Sequence, residues 1–389
     1  METTLKATDF IRTASKTAHH FGFRALDDLK DDARCKNCEK SGNPKILVAQ
    51  KRLDALHGAL AGGISAYFEH NLHGLGEPAL FYTIDDSKKD AVQVSLQVLG
   101  TEKSIAESLL IRTIRSLFHD LNITEHSLRI NSVGDRESVN RYSRELGNYF
   151  RKRIEHLPPT ARELMKEHVL MTLGHLIERG HELGSKSPSA LEYLNESSRK
   201  HFREIIEYLD QSETPYEIDP RLLGHHQCYS HTIFSFDTWE DESRATPHLV
   251  RARGGRYDEF VYQMTKQTIP AVGAVITLEG QAVPLRLPKH PTTEPSVCMV
   301  QLGFGPRVRS LSILEDLRHA EIPVHQSIAS DSLSGQLETA RQKKIPYTVI
   351  LGQKELVDNT VIVRNMFNSS QENVAITGLV SYLKRATKV

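Results

Sequence analysis

Residues 251–261 read RARGGRYDEFV, and residues 269–280 read IPAVGAVITLEG. A strand-like run stops at the paired glycines Gly254 and Gly255, turns through Arg256, Tyr257 and Asp258 into a short helix, and returns as an apolar run opening Pro-Ala-Val-Gly. Paired glycines serve backbone geometry at tight turns and close approaches. The flanking segments extend the pattern. CYSHTIFSFD (228–237), HLVRARGG (248–255) and PAVGAVITLEG (270–280) are neighbouring strand-like runs of hairpin character. Further upstream, ALFYTID (79–85) and AVQVSLQVLG (91–100) are strand-like and are joined by the charged turn DDSKKD, a hairpin signature. Helices are expected at Thr4–Phe21, Ala49–Phe68, Glu137–Ile154 and Ser198–Leu209. Lys103–Leu121 carries Ile105, Leu109 and Leu117 at near-helical spacing, and Thr160–Leu183 starts just after Pro158 and Pro159. Together these predict an antiparallel sheet flanked by helices, an α/β (α+β) core.

Residues 284–295, PLRLPKHPTTEP, hold four prolines and little that could pack, so they read as an extended spacer. Beyond it the pattern alternates: SVCMVQLG is a strand, Arg307–His319 a helix, IPVHQS a strand, Leu333–Lys344 a helix, PYTVILG and NTVIVRNM two strands, and Val374–Lys388 a helix. That alternation predicts a second, smaller α/β domain with a mainly parallel sheet. No GxGxxG lies between a strand and a helix, so a dinucleotide-binding reading fails. The expected division is a core over 1–283, a linker over 284–295 and an α/β domain over 296–389.

Composition bounds the function classes. The 389 residues are 39% hydrophobic and 25% charged, a globular profile that excludes a wholly disordered or collagen-like chain. No apolar run approaches the ~20 residues of a spanning helix, and the N-terminus lacks an apolar signal core, so a cytoplasmic protein is expected. With 49 basic and 49 acidic residues the net charge is zero. Residues 296–389 hold 11 Lys/Arg against 8 Asp/Glu, a balance of +3 that fits a polyanion contact and ordinary scatter equally well. Four cysteines are too few for a disulfide scaffold.

The turn at 251–261 followed by 269–280 closely resembles the histidyl-tRNA synthetase family of class II aminoacyl-tRNA synthetases. AHHFGFR (18–24), LQVLGTEKSIAESLLI (96–111), LRINSVGDRESVNRYSRELGNYF (128–150), SRKHFREIIEYLDQSETPYEIDPRLL (198–223) and VILGQKELVDNTVIVRNM (349–366) resemble that family in order along nearly the whole chain. The resemblance implies a class II synthetase-like antiparallel sheet flanked by helices, a C-terminal anticodon-binding-type domain, a homodimer, tRNA as partner, and ATP with Mg as reactants if the synthetase reaction is retained. In that reaction the amino-acid carboxylate attacks the α-phosphate of ATP, and fixed cations stabilise the charge that develops there. Arginine suits the task through its rigid bidentate fork.

Several family positions are altered. An arginine is expected after Phe81, where this chain has Tyr82; another after Glu279, where it has Gly280; and a third where it has Gly224, followed by His225-His226-Gln227-Cys228-Tyr229. The Arg-Pro-Glu-Gly-Thr stretch is not recognisable in NPKILVAQKRLDALHG (43–58), and the first-motif proline is missing after HHFGFR. Gln93 matches a family glutamine that contacts histidine, and Gln97 stands where a glutamate would meet its α-amino group. The resemblance therefore implies a synthetase-like protein with an eroded ATP/histidine site, binding tRNA, a small ligand or a partner. A true histidine–tRNA ligase with rebuilt clamps is the alternative. A regulatory subunit like that of short-form ATP phosphoribosyltransferase is a third, weakened by the C-terminal domain, which that paralogue lacks.

Candidate ligand-binding residues are Tyr82, Lys89, Gln93, Gln97, His225, Gln227, Tyr229, His231, Gly254, Gly255, Arg256 and Tyr257. On a regular strand, His225, Gln227, Tyr229 and His231 would share one wall. HHQCYSH (225–231) places at most two metal-capable side chains on one face, short of the three or four converging ligands a zinc site needs, so no metal is expected. Cys35 and Cys38 form half of such a site, with no second half in the chain. Arg307, Arg309, Arg341, Lys343, Lys344 and Lys354 could contact tRNA phosphates, or could form an ordinary charged face.

Overall fold

The computed structural model describes residues 5–32, 55–75, 77–85, 90–224, 228–240, 243, 248–281, 294–328 and 330–387. The helices are α1 (Ala7–His20), α2 (Leu26–Asp32), α3 (Ala55–Glu69), α4 (Ile105–Asp120), α5 (Arg136–Arg151), α6 (Pro159–Glu167), α7 (Val169–Glu178), α8 (Glu182–Ser185), α9 (Glu196–Gln211), α10 (Asp258–Thr265), α11 (Phe304–His319), α12 (Leu333–Gln342), α13 (Gln353–Asp358) and α14 (Leu379–Thr387). The strands are β1 (Arg24–Ala25), β2 (Ala79–Asp85), β3 (Ala91–Leu99), β4 (His126–Gly134), β5 (Glu217–Ile218), β6 (Ser230–Thr238), β7 (Val250–Arg256), β8 (Ala271–Glu279), β9 (Val297–Gln301), β10 (Val324–Gln326), β11 (Tyr347–Leu351), β12 (Thr360–Asn365) and β13 (Gln371–Ala375).

The first sheet has the order β1-β2-β3-β8-β7-β6-β4-β5, antiparallel throughout except where the two-residue edge strands β1 and β5 pair in parallel. Its two faces bury different helices. On the back, Val94, Leu96, Ala252, Val272 and Ala274 pack with residues of α1, α4 and α9. On the front, Phe81, Leu99, Ile233, Tyr257 and Ala271 pack with Leu60 and Ile64 of α3 and with residues of α5 and α7. Being covered on both faces, β3 reads as a continuous buried strand despite its glutamines.

The second sheet runs β10-β9-β11-β12-β13, parallel across its first three strands and antiparallel across its last three. The expectation of a mainly parallel sheet therefore holds for one half only. NTVIVRNM returns as a hairpin into β13, whose polar sequence QENVA hides its strand character. The expected single helix over 160–183 is also divided. His168 is extended (φ −160, ψ 130) and its Nδ1 accepts from Leu170 N–H at 3.2 Å, capping a new helix rather than continuing the old one.

The two halves pack against one another through their helices. The back core runs without interruption from α1 and α4 into Val308, Leu311 and Leu314 of α11, and the Tyr208 and Phe304 rings stand 4.8 Å apart. Around this apolar contact Glu315 accepts from Arg318 at 2.6 Å and from Ser116 at 2.8 Å, while Arg318 also donates to Asp120 at 2.8 Å. Lys103 reaches Asp331 at 2.7 Å.

Candidate functional site

The sequence-predicted ligand residues divide between the two faces of the first sheet, and strand register decides which goes where. Gln97 lies opposite Phe81 and Gly273, while Tyr82 lies opposite Leu96. Tyr82 therefore belongs to the back core and is 4% exposed, with burial raising its phenol pKa. The expected ligand run Gly254–Tyr257 alternates in the same way: Gly255 and Tyr257 face the front, Gly254 and Arg256 the back. A Cβ at Gly254 would meet Phe234 Cζ at 2.6 Å, whereas one at Gly255 would meet the Tyr229 ring at 2.8 Å.

Arg256 is thereby taken away from any front-face ligand. Only 1% exposed, it donates from Nε and Nη2 to the two carboxylate oxygens of Glu107 on α4, at 2.7 and 2.9 Å, and from Nη1 to Thr101 O at 3.1 Å. Glu107 also bonds His201 Nε2 at 2.7 Å. Burial by itself would raise the Glu107 pKa, but Arg256 and then His201 hold it well below the usual range. Asp258 accepts from Ala271 N–H at 2.6 Å, and its carboxyl is pushed up to about 6 by burial against the opposing pull of Arg256.

The wall expected from Tyr229 and His231 is broken by a bulge. His231 adopts φ 51, and the pairing of β6 slips between Ser230 and Ile233 and between Ser132 and Gly134. The change of parity sends His231 to the back, its ring 5.4 Å from His201, while Tyr229 stays in the front core. Burial, then His201 and Arg256, lower the His231 pKa to about 4. His225, Gln227 and Lys89 lie outside the described residues, as do Cys35 and Cys38.

On the front, the chain's own side chains occupy the floor. Gln97 is fully buried; its Nε2 donates to Ala59 O at 3.2 Å and Ser95 Oγ at 3.0 Å, and its Oε1 accepts from Tyr257 O–H at 2.8 Å. α3 lies so close that a Cβ at Gly63 would stand 2.0 Å from Gln97 Nε2, and one at Gly273 would stand 2.9 Å from Leu60 Cδ2. Gln93 is 4% exposed and donates to Thr277 Oγ1 at 3.0 Å.

Each of the three positions where the resemblance leads one to expect an arginine has a local structural feature of its own. At Gly224 a Cβ would fall 2.1 Å from the Tyr229 ring, which is held between Gly224 and Gly255. Gly280 adopts φ 73, a left-handed conformation suited to glycine, and its N–H donates to Asp90 O at 2.9 Å. Tyr82 faces the wrong side. Other cations do reach the front: exposed Arg251 and Arg253 on β7 lie opposite Thr277 and Val275 of β8, with Arg251 donating to Glu279 at 2.7 Å, and Arg129 of β4, opposite Ser235, is paired with Asp219 and Asp237. The sequence reading missed Arg251 and Arg253, although the two-residue spacing of RAR in a strand places both on one face.

Of the expected tRNA-contacting cations, Arg307 is ion-paired to Asp331 and Lys343 stands 3.5 Å from Glu77, both at the junction of the sheets. Arg341 pairs with Glu338 on its own helix at 2.8 Å. Lys344 and Lys354 are exposed, and Arg309 is half-buried.

Residues 307–386 match the anticodon binding domain family. Over 334 residues the chain is 29% identical to a histidine–tRNA ligase of Cyanothece sp., covering 82% of this chain and 76% of that protein. It is 28% identical over 299 residues to the histidine–tRNA ligase of Bacillus subtilis, covering 76% and 70%. Among solved structures, apo histidyl-tRNA synthetase of S. aureus aligns at 20% identity and TM-score 0.46 over 83% of this chain and 82% of that one. A Bacillus halodurans protein described as an ATP phosphoribosyltransferase regulatory subunit/histidyl-tRNA synthetase aligns at 15% identity and TM-score 0.42, over 87% and 94%.

Two outcomes follow from the buried cluster. Glu107→Gln removes the bidentate partner of the buried Arg256 charge, leaving only Asp258, at 3.5 Å, as its counter-ion, and is expected to lower unfolding free energy by about 3 kcal/mol, read from urea denaturation with unchanged slope. His231 is neutral in the fold and has an ordinary value of 6.5 when unfolded, so its stabilisation is complete above pH 6.5 and is lost as pH falls toward about 4. Asp258 has the opposite sign, gaining stability as pH falls through about 6. The difference between parent and variant isolates the histidine: His231→Gln should lose less stability on acidification, by on the order of 2 kcal/mol between neutral pH and the end of that window.

Proposed function

Starting from membership of the chain in the histidyl-tRNA synthetase family, we propose that it is a synthetase-like protein whose histidine pocket has been refilled by its own side chains, and that it binds tRNA, as a homodimer, without activating histidine at synthetase rates. The observation that carries this reading is the Gly224–Tyr229–Gly255 sandwich. At the position where the resemblance expects an arginine, a Cβ would stand 2.1 Å from the Tyr229 ring, which supports a site that no longer accommodates that cation. Gln97 supports the same reading: at the position expected to meet the histidine ammonium, a neutral side chain spends both ends of its amide on internal hydrogen bonds.

One fixed contact to a developing oxyanion is worth roughly 3–4 kcal/mol, so three missing arginines cost many orders of magnitude in rate. Histidine-dependent ATP–pyrophosphate exchange should accordingly stay at background. Arg251 and Arg253 support a second reading, in which they replace the missing clamps and ATP, with Mg as its counter-ion, is a substrate. In that case exchange is measurable and Arg253→Ala abolishes it. Exchange at ordinary synthetase rates ends the first reading.

tRNA contact rests on the cations that remain free of the junction. Lys344→Glu combined with Lys354→Glu should weaken a tRNA gel shift and reduce the slope of log affinity against log salt by about 2, whereas Arg307→Ala, already neutralised by Asp331, should leave the slope unchanged. An unchanged slope in the double variant removes this face as the contact.

A further inference from the structure

A cleft of about 160 Å³ opens where the edge of the first sheet meets β10 and the start of the segment after α12. It is separate from the front face described above. Gly22, Arg24 and Glu77 line one side; His325, Gln326, Ser327 and Lys343 line the other.

The lining is polar in an unusual way. Gln326 is 5% exposed and Ser327 is 4% exposed, yet Gln326 Oε1 and Ser327 Oγ have no hydrogen-bond partner among the described residues. The other end of the Gln326 amide is engaged, with Nε2 donating to Phe21 O at 3.0 Å, so the orphaned oxygen is fixed in place. His325 Nε2 is a third polar atom without a partner among the described residues. Polar groups buried in this state are costly, and a bound ligand or water is one way in which they are satisfied.

Charge narrows the choice. Lys343 Nζ lies 3.5 Å from Glu77 Oε2, longer than a direct hydrogen bond, and Arg24 stands on the same wall as Glu77. Both signs are therefore offered at one opening, with Leu80 and Ile328 as apolar lining. Burial and nearby Lys343 lower the His325 pKa to about 4, so its imidazole is neutral at physiological pH and adds no net charge.

We propose that this cleft binds a small zwitterion of α-amino-acid type, with its carboxylate toward Lys343 and Arg24 and its ammonium toward Glu77 and Gln326 Oε1. The size agrees: cavities near 150 Å³ hold molecules of about six heavy atoms, the size of alanine. A ligand held between the two sheets binds only their docked arrangement and stabilises it by mass action. Its occupancy would thus govern how firmly the C-terminal half is held on the core, whatever chemistry the front face retains.

The test uses the full chain and four probes: L-alanine, L-serine, and the single-charge analogues propionate and ethylamine. Titration calorimetry and thermal unfolding should show saturable binding of the amino acids and a raised unfolding temperature. The two analogues should bind at least about tenfold more weakly, because each forfeits one charge-assisted partner. Lys343→Met and Glu77→Gln, whose side chains are 42% and 25% exposed in the parent, should fold and should each weaken alanine binding about tenfold. Equal binding of amino acid and analogues overturns the proposal. So does the absence of both heat and thermal shift with the amino acids in the folded parent, which assigns the cleft to water alone. Neither result depends on the pyrophosphate-exchange assay, so this proposal and the functional reading fail separately.

Discussion

The buried ion pair between Arg256 and Glu107 is the constraint around which the core is organised. It ties the last residue of β7 to the first turn of α4 across the back of the sheet, and Glu107 carries the tie on to α9 through His201. Replacing a buried pair with apolar groups can be neutral, but leaving one partner alone is strongly unfavourable. The side chains at 107 and 256 must therefore be kept or lost together. With Arg256 committed to the back, Gly255 and Tyr257 face the front, and Tyr257 is set against Gln97.

From that alternation the front face follows. A glycine at 255 lets one edge of the Tyr229 ring approach the sheet, a glycine at 224 admits its opposite edge, and glycines at 63 and 273 let α3 descend, with Gly63 onto Gln97 and Leu60 onto Gly273. These are close approaches that any Cβ would obstruct. The result is a dense floor at one end of the front face and, at the other, a polar strip bearing Arg251, Arg253 and Thr277. Among the described residues, Arg251 and Arg253 stand on β7, Arg129 of β4 shares their face but is paired with Asp219 and Asp237, and β2 and β3 contribute no cation in ALFYTID and AVQVSLQVL.

The junction between the two sheets is chemically distinct from both faces. An apolar centre of Tyr208, Phe304 and Leu311 is ringed by Arg318, Glu315, Asp120 and Lys103, so the second half of the chain is held by packing and by partly buried ion pairs together. This has a direct consequence for nucleic-acid contact. Charges that look alike in sequence are sorted by their surroundings: Arg307 is paired with Asp331 at the junction and Lys343 lines the cleft beside Glu77, while Lys344 and Lys354 face solvent.

The sequence alone determined the broad architecture, because local signals there agree with the tertiary result. The hairpin of β2 and β3, the antiparallel run β6–β7–β8, and the helices α4, α5 and α9 carry periodic patterns and turn residues strong enough to be read without a structure. Which residue stands where the resemblance expects an arginine is also read from the sequence, since identity needs no coordinates. What only the tertiary structure decided was direction. The left-handed conformation at His231 reverses parity along β6, the register of β2 against β3 turns Tyr82 to the back, and a helix nearly 150 residues away claims Arg256. Side-chain direction in a sheet repeats every two residues, so a single bulge or a one-residue shift of register exchanges the faces, and no composition or spacing rule records that shift.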